Sequence, residues 1–154
     1  MSNAVSPKFA ARVLAAQALY QLETNEDARA EPAIAEYLGL RQKDRLATIG
    51  AQAMDQALFR DLVTGAFAET EALDNMLLGV LNQDWTIERL DPVLRALLRA
   101  AAYELGQVDA KVPQRLIAQY VQIAQGFFAG KEPGLANATL DALARALHPE
   151  AFNG

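Results

Sequence analysis

Apolar residues recur at three- and four-residue spacing along almost the whole chain, and no segment alternates with a period of two. The clearest stretch runs from Asp91 to Phe128 and reads as two amphipathic helices joined by a short loop, each opened by a proline. Leu94, Leu97, Leu98, Ala101, Ala102 and Leu105 form one apolar stripe, with Asp91 placed as N-cap and Pro92 at the first helical position. Ile117, Tyr120, Val121, Ala124 and Phe128 mark the buried side of the second helix, which starts at Pro113. Upstream, Ser6-Pro7 opens a helix from about Pro7 to Glu23. It is apolar nearly all round, the signature of a helix buried on most sides. Lys8 and Arg12, four apart, share one edge near its start, and Gln17 and Gln21 lie near the opposite edge.

The polar run from Thr24 to Pro32 reads as a loop, followed by a short helix at about Pro32–Leu38 that stops at Gly39. The cluster Arg41, Gln42, Lys43, Asp44 and Arg45 then leads into a longer helix, expected over about Leu46–Ala68. Gly50 and Gly65 would each weaken that helix by ~1 kcal/mol relative to alanine. A further helix is expected from about Glu71 to Gln83, then a short turn at Thr86–Leu90. After the central pair, Gly134 punctuates a loop over Gly130–Gly134. Ala136, Leu140, Leu143, Ala144 and Leu147 stripe a last helix that ends before Pro149. The pattern predicts an all-α chain of about seven helices with short connections. One domain over residues 1–154 is expected, with an N-terminal helical half at about 6–68 and a C-terminal half at about 71–148.

Composition narrows the function. With 154 residues, 52% of them hydrophobic, the chain can bury a core without disulfides or metals. It has no cysteine, which removes thiolate metal sites and suits a reducing, cytoplasmic setting. No apolar run approaches the ~20 residues needed to span a bilayer. Arg12, Gln17 and Gln21 interrupt the apolar N-terminal segment, so a signal peptide is not expected. The lone histidine, His148, sits beside Pro149 and reads as a solvated tail residue. No metal-ligand spacing or glycine-rich phosphate loop is present, and the acidic groups read as solvated faces and caps. Neither catalysis nor a cofactor is expected. The formal net charge is −5, whereas a free-standing nucleic-acid binder is usually basic. Residues 1–20 nevertheless carry Lys8 and Arg12 and no acid, so a small cationic patch stands on an acidic body.

Four words, in order over nearly the whole chain, carry a resemblance: ARVLAAQALYQLE, LFRDLVTGAFAETEALDNMLLGVLNQDW, LDPVLRALLRAAAYELGQVDAKVP and IAQYVQIAQGFFAGKEPGLANATLDALAR. Together they resemble the NusB family of bacterial transcription antitermination factors, with gaps confined to Thr24–Met54. A NusB-like domain fused ahead of an RNA cytosine methyltransferase fits less well. The resemblance implies a NusB-like helical bundle of two packed subdomains. It also implies binding of boxA-type nascent RNA together with NusE, a ribosomal protein. That complex loads onto the RNA polymerase elongation complex through other Nus factors during ribosomal RNA synthesis. A homodimer is compatible with this picture, and no membrane partner is implied.

Carried onto this chain, the resemblance places Lys8 and Arg12 on RNA phosphates, with Tyr20 and Asn137 as nearby stacking or polar groups. It puts Phe59, Arg60, Arg95 and Arg99 in the partner-facing region at patch level. Each has a structural reading as well: a solvated edge for Lys8 and Arg12, a core aromatic for Tyr20, and a helix cap for Asn137. Arg95 and Arg99 could equally pair with Asp91 within their helix. Three departures weaken the RNA grip: Phe9, Ala10 and Ala11 where relatives often carry arginine, Ala118-Gln119 in place of a more polar, acidic pair, and Leu135 in place of an aromatic. Two other readings follow. One is a NusB-like helical protein-interaction module with lost or weak RNA binding. The other is a small ligand-binding or catalytic helical protein, which would need a pocket with convergent buried polar groups.

Overall fold

A computed structural model describes residues 5–81, 84–107 and 113–152. Among them are eight α-helices: α1 Pro7–Glu23, α2 Ala30–Leu38, α3 Gln42–Thr48, α4 Gln56–Ala68, α5 Thr70–Leu78, α6 Pro92–Gln107, α7 Pro113–Phe127 and α8 Glu132–Leu147. The chain divides into two compact units, Met1–Ala68 and Glu69–Gly154.

In the first unit α1 packs on α2 and α4, and α2 packs on α4. Ser6 caps α1 as its Oγ accepts the Phe9 N–H at 3.1 Å, with Pro7 in the first turn. Ala10, Ala11, Ala15, Ala16 and Ala18 are fully buried, so neighbouring helices approach the α1 backbone closely. Ile34 and Tyr37 of α2 and Phe59, Leu62, Val63 and Ala66 of α4 complete this core. Phe59 has no exposed surface, and its ring centroid lies 5.4 Å from that of Tyr37. The expectation that Phe59 faces a partner is therefore corrected: it is a core side chain.

The single helix expected over Leu46–Ala68 is in fact two. Gly50 takes φ +73°, the Gly50 N–H donates to the Ala47 carbonyl at 3.1 Å, and the Ala51 N–H donates to Leu46 at 2.9 Å. These bonds form a Schellman end to α3, with glycine at the left-handed position. Asp55 then restarts the chain, its carboxylate accepting the Leu58 N–H at 3.0 Å as cap of α4. The intervening segment runs beside the start of α1, with the Val5 N–H on the Gly50 carbonyl (3.4 Å) and the Asp55 N–H on the Pro7 carbonyl (3.0 Å). Val5 and Ala51 form an isolated parallel bridge. The break thus anchors the end of α1 that carries Lys8.

In the second unit α6 packs against α5, α7 and α8. Asp91 caps it, Oδ1 accepting the Val93 N–H at 2.8 Å. All six stripe residues of α6 are buried, and so are Ala96, Ala100, Tyr103 and Glu104. The helix is enclosed on most sides, with Arg95 and Arg99 on its less buried flank. The Tyr120 hydroxyl of α7 donates to the buried Glu104 carboxylate at 2.7 Å, supplying a partner for a group that is costly to bury. His148 is half-buried, and its Nε2 donates to the Leu105 carbonyl at 2.8 Å, tying the end of α8 to the last turns of α6. The reading of His148 as a solvated tail residue is corrected accordingly. α5 ends at Leu78, short of the expected Gln83, which lies outside the described residues together with the loop between α6 and α7. Gly134 lies inside α8, so that helix begins earlier than expected.

Two substitutions test this layout by urea unfolding. Gly50→Ala meets no atom within 4 Å, so its cost is backbone strain alone, about 1–2 kcal/mol. Gly50→Asn costs less, since asparagine tolerates the left-handed region. Phe59→Ala lowers stability by about 3–5 kcal/mol, whereas an exposed contact residue at that position would change it by less than about 0.5 kcal/mol.

Candidate functional site

The first turn of α1 concentrates positive potential. The turn is the positive end of a 17-residue helix and contains no acid. Lys8 is exposed there, and Arg12 follows one turn later, half-buried and engaged within the fold. A cation at this end is mildly unfavourable for the helix itself, while an anion bound there meets both the helix end and the side chain. Tyr20 lies two turns beyond Arg12 on the same helix and is half-buried.

Further along the first unit, the cluster around α3 is only partly available. The Arg45 guanidinium lies 4.0 Å from the centroid of the buried Tyr37 ring and pairs with Glu36 at 3.0 Å. Burial raises the Tyr37 hydroxyl above its ordinary pKa; the Arg45 charge opposes that shift and Glu36 adds to it. Arg41 and Lys43 remain exposed. Arg60 is exposed and lies 3.6 Å from Glu31, an ion pair so open to solvent that it contributes little.

In the second unit the two arginines of α6 have structural partners. Arg95 donates through Nη1 to the Ile87 carbonyl at 3.0 Å. Arg99 grips Asp74 of α5 with two parallel bonds, Nε to Oδ1 at 2.7 Å and Nη2 to Oδ2 at 2.8 Å. This fork joins α5 to α6, a bond that helical spacing alone did not suggest. Asn137 is exposed within α8, whose N-cap is Lys131, so the capping alternative for Asn137 is corrected. Leu135 lies in the first turn of the same helix and is half-buried.

A depression of about 550 Å³ beside the end of α1 and the start of α2 is open to solvent, with Asn25, Asp27, Arg29 and Glu36 on its lining. All four are exposed, so the convergent buried groups of a small-molecule site are not found there. Among the described residues no group of three or more histidine, cysteine or acidic residues could hold a metal ion. Among them, too, no helix is long and apolar enough to cross a membrane.

The comparisons with known proteins agree with one another. The NusB family model matches residues 10–145. A transcription antitermination protein NusB of Rhodospirillum rubrum is 38% identical, covering 94% of this chain and 86% of its own length. The protein of the same name from Granulibacter bethesdensis is 39% identical over 100% of this chain and 97% of its own. That of Gluconobacter oxydans is 40% identical over 88% and 84%. Among solved structures, T. maritima NusB matches with a TM-score of 0.71, covering 97% of this chain and 99% of its own; at 23% identity it speaks to the fold. The relatives are antitermination proteins, not enzymes. On the family match and these full-length relatives, the chain belongs to the NusB family of transcription antitermination proteins.

Proposed function

We propose that this chain binds boxA-type nascent RNA together with NusE and, through other Nus factors, joins the RNA polymerase elongation complex during ribosomal RNA transcription. Membership of the antitermination family supports this reading. The observation that carries it here is the start of α1, where Lys8 is exposed, the first turn holds no acid, and the half-buried Arg12 follows one turn later. Two cations on a body of net charge −5 give a shallow electrostatic well. NusE is needed to complete the grip. Arg60 is the remaining exposed arginine of the partner-facing expectation, and Arg95 and Arg99 act there by holding α6 in place.

The acidic balance favours a second reading as well, a NusB-like module that acts through protein contacts with little or no RNA grip.

Titration of a labelled boxA-type oligoribonucleotide, with and without NusE, separates the two. Weak binding by the chain alone and clear tightening with NusE support the RNA reading. NusE binding with no gain in RNA affinity selects the protein module. Lys8→Ala with Arg12→Ala weakens binding about equally for boxA and scrambled RNA, as phosphate contacts carry no sequence information. A loss confined to boxA contradicts the phosphate role.

A further inference from the structure

Beyond α8, residues 148–152 form a short strap with ties to three helices of the second unit. His148 is the C-cap of α8, its N–H donating to the Ala144 carbonyl at 2.7 Å. Pro149 cannot continue the helix. The 3₁₀ turn Pro149–Phe152 follows, closed by the Ala151 N–H on the His148 carbonyl at 3.1 Å. The first tie is the bond from His148 Nε2 to the Leu105 carbonyl of α6. The second runs from the Gln114 side-chain amide of α7 to the Ala151 carbonyl at 3.3 Å. The third is on α8 itself, where the Arg145 guanidinium lies 4.4 Å from the centroid of the Phe152 ring. Asp141 steers it there, Oδ2 accepting from Arg145 Nε at 2.8 Å. No side chain of the turn is fully buried: Pro149 and Glu150 are exposed, Ala151 and Phe152 half-buried.

We infer that residues 148–152 are a clasp that opens and closes without unfolding of the second unit, and that its closure orders the junction of α6 and α7. Leu105 lies in the last turn of α6 and Gln114 in the first turn of α7, so the strap bridges the two sides of their connection. An exposed amide–carbonyl bond and an exposed cation–π contact are weak, because water competes for both groups. The buried apolar core of the unit includes no residue of the strap. Opening therefore costs only a part of the global stability, which is the mark of a local unfolding unit. The ties share one short turn whose start is fixed by the proline ring, so losing one displaces the others. Anything that draws the strap aside loosens the α6–α7 junction and leaves the core intact.

Native-state amide exchange, followed by NMR on the full chain in low concentrations of denaturant, tests the clasp. Three amides report on it: Ala151 in the strap, Gln107 at the end of α6, and Ala118, whose N–H a regular helix pairs with the Gln114 carbonyl. In the parent chain all three exchange through an opening that hardly responds to denaturant. Leu97 and Leu98, in the middle of α6, exchange only through a denaturant-sensitive one. Phe152→Ala and Gln114→Ala, at positions that are not buried, leave helicity by circular dichroism unchanged. Each speeds exchange at all three reporters at least about fivefold, the effect of losing one weak tie. His148→Ala, which removes the α6 tie, acts on the same three. Denaturant-sensitive exchange of Ala151 at the rate of Leu97 and Leu98 overturns the clasp, because the strap would then open only with the whole unit. A change confined to Ala151, or none at all, overturns it too, since the junction would be ordered without the strap. Loss of helicity in Phe152→Ala makes the strap part of the core and overturns it as well.

Discussion

The enclosure of α1 is the constraint on which the functional picture depends. Five alanines with no exposed surface let α2 and α4 close on its backbone, so most of its length has no room for a long charged side chain. Ala10 and Ala11 are among them. An arginine at either position would have to bury a guanidinium, at a cost of several kcal/mol unless paired. The cations of this helix are therefore confined to an edge near its start, and the narrowness of the foothold follows from the packing that makes the helix stable.

A second consequence concerns how that edge is held. Gly50 ends α3 in the left-handed region, and the segment it releases lies alongside Val5 and Pro7 before Asp55 restarts the helix. The first turn of α1 is thus fixed from outside by backbone bonds. A preorganised cation loses less entropy on meeting a phosphate than one at a frayed terminus. In the second unit, equivalent rigidity comes from polar bonds: the Arg99–Asp74 fork, the Tyr120–Glu104 pair and the His148–Leu105 bond all converge on α6.

Much of the fold was legible because helical periodicity is a local signal. The start of α1 at Ser6-Pro7, the capping of α6 by Asp91 and the all-helical class can be read from single turns. The break between α3 and α4 was written too, as a C′ glycine at Gly50 and a cap at Asp55, but weighing Gly50 only as a propensity cost hid it. Periodicity separates apolar from polar faces; it does not say how many neighbours cover a helix. For that reason the enclosure of α6 does not follow from its stripe, and Phe59, placed in a partner-facing patch by the resemblance alone, is shown as a core side chain only by the fold. The site was legible in part: Lys8 and Arg12 share an edge by spacing alone. Arg99 with Asp74 and Arg45 over Tyr37 are separated by 25 and 8 positions, and only folding brings such pairs together.

The salt dependence of RNA binding counts phosphate contacts, and so tests the confinement of charge most directly. With Lys8 and Arg12 as contacts, the logarithm of the association constant for the chain alone should fall against the logarithm of salt concentration with a slope of about −1.4 on single-stranded RNA. A slope near −4 or steeper would require about six neutralised phosphates, and would contradict an account in which the burial of α1 leaves so few cations for RNA.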